Sequence, residues 1–351
     1  MVLVHKLQLA KLKTFYEFDD SEVRVIVIDN PHTKVPEDIK KLLLNLNNKF
    51  QQVKFLCYNA FKFVKWEARQ QLIISGGFEN VTKCYKIEGD RIFDVIDLQS
   101  NHLEADTRLS AHAFFDLKPN SDIVIHSVDT DVFVLAIHFW PRFKAMGLSN
   151  LRFQSSNQKS RTLACHTSAE FLTPDVCEIL PGLHSLTGCD TVSKVGTKKR
   201  GLDLLSHEEF RIALTPLGNG LPMTPEESKA IQKFYLRILD KNGVSVDECR
   251  ANISLHSSEI GLNLAKIPCT SDALYMHSLG ASVQTYIWRN AKNASYVPLD
   301  LTLFGYTCKD DSLLPKFMTK DSLPKDLIKA CNCKKIAVAN NAIVENIIKL
   351  V

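Results

Sequence analysis

Short apolar runs that alternate with helical patterns constrain the fold of this chain more than any other feature. Four runs in its first half are typical of buried strands: VRVIVI at 23–28, QLIIS at 71–75, IFDVIDL at 92–98 and DIVIHSV at 122–128. Helical patterns lie between and after these runs, at 36–64, 104–116 and 130–140. Apolar strands that alternate with helices are typical of a parallel sheet with both faces covered. The sequence therefore predicts an α/β fold with a mostly parallel sheet flanked by helices.

The pattern changes after Pro181, where the strand signal stops. The next stretch has the glycines of a loop, Gly182, Gly188 and Gly196, and is followed by a short helical pattern at about 200–210. Longer helices are predicted within 222–248 and 271–292, and irregular structure at 293–335. We predict three regions: an α/β domain at 1–215, a mainly helical region at 216–305 and an irregular tail at 306–351.

Composition excludes several classes of protein. The net charge is only +4, which permits a polyanionic partner without requiring one. The ten cysteines are scattered singly, so reduced thiols are expected, and the one close pair, Cys331 and Cys333, offers too few ligands for a structural zinc site. Lysines interrupt the first fifteen residues, and no run of eighteen apolar residues occurs. We expect a protein that is neither secreted nor membrane-bound, located in the nucleus or cytoplasm.

Carboxylates cluster where the predicted strands end. Asp29 follows VIVI, Asp129 and Asp131 follow the strand through Val128, and Glu104 and Asp106 open a predicted helix. Another acid, Asp190, lies in a Gly-Cys-Asp turn. In an open α/β sheet the carboxyl ends of strands gather along one edge, so these acids can converge on one crevice.

Converging carboxylates repel one another, and bound divalent cations relieve that repulsion at neutral pH. Hard oxygen ligands favour Mg²⁺ or Mn²⁺ over zinc, and two such ions could activate a water and stabilise the leaving oxygen in phosphodiester hydrolysis. Each acid also has a structural interpretation: Asp106 and Asp129 are suited to capping the helices that follow, and Asp29 to a turn.

Other catalytic chemistry has little support. His112 and His138 lie in apolar helical stretches where a core histidine is the expected role, and Cys189 has no evident base partner. Neither GxxxxGK[ST] nor GxGxxG occurs, so no nucleotide cofactor is predicted.

The strings LEADTRLSAHA, IHSVDTDVFVLAI and LPGLHSLTGCDTVSKVGTKKRGLDLL together resemble the core of the PIN-like structure-specific nucleases, the flap endonuclease and XPG-type group. They are still more similar to a set of uncharacterised, often transposon-associated animal proteins that share these motifs. The similarity covers roughly residues 20 to 210 and continues more weakly through TSDALYMHSLGASVQTYIWRNA.

The resemblance implies that 1–215 is a PIN-like nuclease domain with a Rossmann-like fold, and it implies a role for each acid. Glu104 and Asp106 are similar to the family's ExE/ExD pair, Asp129 and Asp131 to its DxD pair and Asp190 to the acid of its GxD turn. Asp29 resembles the acid of the family's V-F-D strand, although its flanking residues agree poorly. The implied catalytic set is Glu104, Asp106, Asp129, Asp131 and Asp190, with Asp29 as a further metal ligand to Mg²⁺ or Mn²⁺.

Basic residues follow the GxD turn, where flap endonucleases grip the DNA backbone. Lys194, Lys198, Lys199 and Arg200 could place cations at a phosphate, whereas a solvated helix start or a nuclear-import run is the other interpretation. The implied partner is nucleic acid, DNA in preference to RNA; the oligomeric state stays open.

Two features depart from the family pattern. The family's sheet begins with an Asp-bearing strand upstream of the V-F-D strand, and the residues before Asp29 contain no convincing equivalent, so this N-terminal strand is expected to be missing. The cysteine-rich tail that follows a CxCKK sequence in the family is also expected to be curtailed after CNCKK. The sequence thus supports two hypotheses: a metal-dependent nuclease, and a catalytically inactive nuclease-derived or transposon-derived module that binds nucleic acid or protein.

Overall fold

The computed structural model describes residues 25–28, 32–34, 37, 42, 45–63, 71–88, 91–155, 161–243, 245–256, 267–309 and 312–320. These residues form a mixed α/β structure that is about half helical, with small sheets. They pack into two compact units. The first contains the described residues up to Pro181 with those of Tyr286–Leu299 and Cys308–Leu314, and the second contains the remainder. The domain boundaries at 215 and 305 stay predictions, because a compact unit is not by itself a separately folding domain.

The described residues in the first half of the chain form two small sheets. The elements, in chain order, are α1 (Leu46–Phe63), β1 (Leu72–Ser75), β2 (Cys84–Glu88), β3 (Arg91–Asp94), α2 (Ala105–Phe115), β4 (Asp122–His126), α3 (Thr130–Ala145), β5 (Asn150–Ser155) and β6 (Arg161–Ala164). Strands β1, β2 and β3 form an antiparallel sheet, whereas β4 pairs with β5 in parallel and β5 with β6 in antiparallel orientation.

The second half is mainly helical. Its elements are α4 (Cys165–Phe171), α5 (Pro174–Thr187), α6 (Lys198–Leu204), α7 (Glu208–Leu214), α8 (Pro225–Ile238), α9 (Val246–His256), α10 (Ser271–Arg289), β7 (Tyr306–Lys309) and β8 (Ser312–Pro315). Helix α8 begins with a complete capping box, in which Thr224 and Glu227 each bond the other's backbone N–H. It packs against α6, α7 and α9, and this packing holds the core of the second unit together.

The crossover from β4 through α3 to β5 sets the position of the predicted DxD pair. The apolar face of α3 is fully buried at Leu135, Phe139 and Phe143, and β5 contributes Leu151 to the same unit. A helix that connects two adjacent parallel strands in this way is the βαβ unit of α/β proteins.

The prediction of a mostly parallel sheet is wrong for the described strands. Of the four pairings among β1 to β6, only β4–β5 is parallel. The run at 92–98 is a strand only to Asp94 and then a short 3-10 helix at Ile96–Leu98, and 25–28 has no regular secondary structure. The strands β2, β5 and β6, which the sequence did not predict, supply the antiparallel partners.

The predicted loop after Pro181 is also wrong in its first part. Helix α5 continues through Pro181 and Gly182 to Thr187, and the loop begins only at Gly188. A Cβ on Gly182 would lie 3.3 Å from the Cβ of Leu217, so this glycine fits a close contact within the second unit. Packing rather than local propensity therefore decides the conformation here.

Candidate metal centre

Asp129 and Asp131 lie at the start of α3, directly after β4. The Asp129 amide donates to Ser127 Oγ over 3.0 Å, and Asp129 Oδ1 accepts the Asp131 amide over 2.9 Å. Asp129 is thus the helix N-cap, as its structural interpretation predicted. Because only Oδ1 accepts this bond, the second carboxylate oxygen of Asp129 can bind a metal ion while the residue caps the helix.

Asp106 reaches the same place from a second helix. It lies in the first turn of α2, and α2 packs against α3 through Phe114, which stacks on Phe143 with ring centroids 4.2 Å apart and meets Phe139 edge-on at 5.3 Å. These aromatic contacts hold the two helices side by side. These contacts lie near the carboxyl ends of both helices, and the grouping of Asp106 with Asp129 and Asp131 shows that the first turns are adjacent too.

The carboxylates of Asp106, Asp129 and Asp131 form one group, with ligand oxygens that all lie within 4.8 Å of one another. Asp131 is only 8% exposed, and the other two are half-buried. Three carboxylate oxygens are a hard donor set, which fits a Mg²⁺, Mn²⁺ or Ca²⁺ ion better than zinc. The acidic triad could hold a divalent metal ion, and the positive ends of the two helix dipoles also favour negative charge here.

Glu104 is the N-cap residue of α2, but its side chain does not cap the helix. Its backbone carbonyl accepts a bond from Thr107 Oγ1 over 3.0 Å. Its carboxylate is close enough to the Tyr296 phenol to act on it: burial raises the pKa of Tyr296, and the charge of Glu104 raises it further. Glu104 is not a member of the group formed by the acidic triad.

Of the two remaining acids of the predicted set, only Asp190 lies among the described residues. Asp190 is exposed in the turn after α5, within the second unit, and is not part of the acidic triad. Gly188 opens this turn with a φ of +114°, and the turn is closed by bonds from the Val195 amide to Thr187 and between Cys189 and Val192. Asp29 lies outside the described residues. The roles of Asp29 and Asp190 as metal ligands stay predictions.

The predicted nucleic-acid-binding residues are all exposed, but their environments differ. Lys194 and Lys199 lie on the surface around the start of α6. Lys198 Nζ lies 2.9 Å from His184 Nδ1, and Arg200 forms an ion pair of 2.8 Å with Asp240. Part of this cationic stretch therefore already has contacts within the second unit.

Sequence reasoning missed a buried charged residue of the acid-bearing motif, Arg108. Its side chain is 5% exposed and donates to the His102 carbonyl (2.8 Å), Ser75 Oγ (3.0 Å) and the Val81 carbonyl (2.9 Å). Burial lowers the pKa of its guanidinium. The signal was present in the EADTR string, where the arginine follows Asp106 by two residues.

The two helical histidines behave differently. His138 is buried and its Nδ1 bonds the Cys177 carbonyl at 2.9 Å, which confirms its prediction as a core residue. His112 is also largely buried, but its Nε2 has no hydrogen-bond partner among the described residues. Burial lowers the pKa of both imidazoles, so both are neutral at pH 7.

Comparisons with protein-family models, curated proteins and solved structures gave no match. Among the helices in the described part of the chain, none is both long and apolar enough to cross a membrane.

Proposed function

We propose that this protein is a divalent-metal-dependent nuclease that hydrolyses phosphodiester bonds of nucleic acid, with DNA as the expected substrate. The observation that carries the proposal is the convergence of Asp106, Asp129 and Asp131 from the first turns of two helices. The motif resemblance to PIN-like, flap-endonuclease-type proteins is the second support.

Asp106, Asp129 and Asp131 would hold the first Mg²⁺ or Mn²⁺ ion. A divalent ion bound there would lower the pKa of a water ligand and offset the charge that develops on the phosphate. The backbone amide of Asp131 fixes one oxygen of Asp129, so the carboxylates are oriented before the ion binds. The two-ion mechanism predicted from the sequence needs further ligands, and Glu104, two residues before Asp106, is the nearest predicted ligand along the chain.

We also propose that the first unit is a PIN-like domain. Its support is the β4–α3–β5 crossover, which is parallel and delivers Asp129 and Asp131 just beyond the carboxyl end of β4. Ligands of α/β sheets bind in crevices outside the carboxyl ends of strands. The antiparallel pairs β1–β2–β3 and β5–β6 would then be additions to that core.

The exposed cations of the second unit are the proposed contacts to the phosphate backbone. Lys194 and Lys199 are the main candidates, and Lys198 and Arg200 would add to them. Phosphate contacts release counterions, so this binding would weaken as salt rises.

The second candidate function is a nuclease-derived binding module without catalysis. It is favoured by one observation: of the five predicted metal ligands that lie among the described residues, the acid group contains three. Three carboxylates can hold one ion, which can stabilise a fold without providing two-ion chemistry.

The test is cleavage of labelled single-stranded, flapped and gapped oligonucleotides in Mg²⁺ or Mn²⁺. We expect product that requires the metal, disappears in EDTA and is lost in Asp131→Asn. Asp203→Asn, an exposed acid on α6, is the matched control and keeps full activity.

Two results would oppose the nuclease proposal. Cleavage that persists in Asp131→Asn would point to a contaminating nuclease. Absence of cleavage, together with salt-sensitive binding of the same oligonucleotides, would instead support the binding module.

A further inference from the structure

The irregular segment 99–103, which leads into the first turn of α2, is held by hydrogen bonds on two sides. It has neither helix nor strand, so its backbone groups need partners from elsewhere in the first unit. The Ser100 amide donates to the Thr82 carbonyl over 3.0 Å, and the His102 amide donates to Ser100 Oγ over 3.0 Å. The segment therefore has a defined path up to Glu104.

One side is held by Arg108, which reaches back from α2. Its Nε donates to the His102 carbonyl over 2.8 Å, and one terminal nitrogen donates to Val81 over 2.9 Å. The same guanidinium bonds Ser75 at the end of β1. A buried planar guanidinium with several directional bonds fixes the geometry of the groups that it joins.

The other side is held by residues 293–297, which we name the clasp segment. The Asn101 side chain bonds Tyr296 twice: its Nδ2 donates to the Tyr296 carbonyl over 2.7 Å, and its Oδ1 accepts the Tyr296 amide over 3.0 Å. His102, which is fully buried, bonds the Asn293 carbonyl over 2.9 Å through Nε2, and its ring lies 4.8 Å from the Tyr296 ring. Ser295 Oγ also donates to the Gln99 carbonyl over 3.3 Å.

Segment 99–103 leads directly into a predicted site residue, Glu104, which is the N-cap residue of α2. Asp106, a member of the acidic triad, follows Glu104 by two residues on the same rigid helix start. A displacement of segment 99–103 would therefore move Asp106 relative to Asp129 and Asp131.

We infer that Asn101 is a positioning residue for the acidic triad: its paired bonds to Tyr296 use the clasp segment to set the place of Asp106. This inference rests on the proposed metal site. Its chemical consequence is ion selectivity. Mg²⁺ requires near-ideal octahedral geometry at about 2.0–2.1 Å, whereas Ca²⁺ accepts flexible geometry at about 2.3–2.6 Å. A fixed triad favours Mg²⁺, and a loosened triad loses Mg²⁺ more than Ca²⁺.

The test measures Mn²⁺ binding to the full chain by electron paramagnetic resonance, followed by displacement of Mn²⁺ with Mg²⁺ and with Ca²⁺. Asn101→Ala removes both bonds, and Asn101→Asp keeps the acceptor for the Tyr296 amide but turns a carboxylate oxygen towards the Tyr296 carbonyl, so it removes the donor alone. We expect Asn101→Ala to weaken Mg²⁺ binding about tenfold, as the loss of an outer-shell support does, with a smaller loss for Ca²⁺. Asn101→Asp should also lower the Mg²⁺ to Ca²⁺ affinity ratio, because repulsion between the two oxygens releases the clasp segment.

Asn150→Ala is the matched control. Asn150 also makes a side-chain bond, to Asp122 over 2.8 Å, at the opposite end of the β4–β5 pair. The Asn150→Ala variant should have the wild-type ratio of Mg²⁺ to Ca²⁺ affinity, even if its melting temperature is lower.

The outcomes separate the inference from the proposed function. Mn²⁺ that binds the wild type with an unchanged Mg²⁺ to Ca²⁺ ratio in both Asn101 variants would overturn the positioning role alone. Equal losses for both cations would also overturn it, because a merely destabilised fold weakens both alike. A wild-type protein that binds no Mn²⁺ would overturn the proposed metal site, and the positioning role with it.

Discussion

The acidic triad and the turn at 188–200 both contain acids that the sequence motifs singled out, but these acids differ in burial and in hydrogen bonding. In the triad, Asp131 is buried, Asp129 caps α3, and aromatic contacts near the carboxyl ends of α2 and α3 hold the two helices together. In the turn, the backbone is closely packed at Gly188, but Asp190 and Lys194 point to solvent. Motif residues therefore fix the positions of side chains in the triad, whereas in the turn they fix only the path of the backbone.

The largest expected contrast between the two regions is in metal affinity. Asp131→Asn removes a buried ligand oxygen charge and should weaken Mn²⁺ binding by at least about 100-fold, the upper end of the effect of losing outer-shell support. Asp190→Asn should change the first Mn²⁺ affinity much less. Titration followed by electron paramagnetic resonance measures both. Equal losses would show that Asp190 is a ligand of the same ion, and the contrast would disappear.

The next contrast is in stability, at two arginines. Arg108→Met should lower the free energy of unfolding by about 3 kcal/mol, because it leaves the buried carbonyls of His102 and Val81 without a donor. Arg200→Met breaks the exposed pair with Asp240 and should cost less than about 1 kcal/mol. Urea unfolding at pH 7 gives both values. Similar costs would mean that the packing around Arg108 contributes little.

His138, which lies on the same helix as Asp131, should make the free energy of unfolding depend on pH. Burial lowers the pKa of His138 to about 4, so the unfolded chain, with an ordinary pKa near 6.5, binds a proton first as the pH falls. The stability from the neutral imidazole is complete above about pH 6.5 and is lost progressively towards pH 4, by up to about 3 kcal/mol.

Urea unfolding between pH 7 and pH 4.5 measures this dependence. His138→Gln should flatten the slope, whereas His126→Gln, at an exposed position on β4, serves as the control. A slope that is the same in His138→Gln and the wild type would assign the effect to other groups.

A smaller effect is expected at Gly188, where the turn has a real constraint. An added Cβ would lie 2.7 Å from the Lys194 Cα, and the φ of +114° disfavours any other residue. Gly188→Ala should therefore cost about 1–3 kcal/mol of stability. Gly280→Ala, within α10 where a Cβ meets nothing within 4 Å, should instead stabilise by about 0.5–1 kcal/mol. Denaturant unfolding measures both variants. Equal changes in stability would show that Gly188 is not required by the conformation of the turn.

Local signals in the sequence predicted the DxD and EADT elements well. The strand before Asp129 and the helices that begin at Ala105 and Thr130 are confirmed, because capping residues and apolar periodicity act within a few residues of each other. The convergence of Asp106 with Asp129 and Asp131 was also predicted, but the edge rule for α/β sheets accounts only for the two residues after β4. Asp106 follows the irregular segment 99–103 and not the end of a parallel strand.

Contacts between distant residues were not predictable in this way. The antiparallel strands β2 and β6 depend on pairing between strands, which no local periodicity encodes. Helix α5 continues through Pro181 and Gly182, where Gly182 allows a close contact with Leu217. The bonds between Asn101 and Tyr296 join residues separated by 195 positions. The part of the site that the sequence missed is therefore its long-range support.

The measurement to make first is Mn²⁺ binding, which tests whether Asp106, Asp129 and Asp131 form one metal site. We predict that the wild-type chain binds Mn²⁺ that Mg²⁺ displaces, and that Asp106→Asn and Asp131→Asn each abolish this signal although the two residues start different helices. Mn²⁺ binding that is equal in the wild type and in both variants would show that the triad is not the metal site, and would contradict the claim.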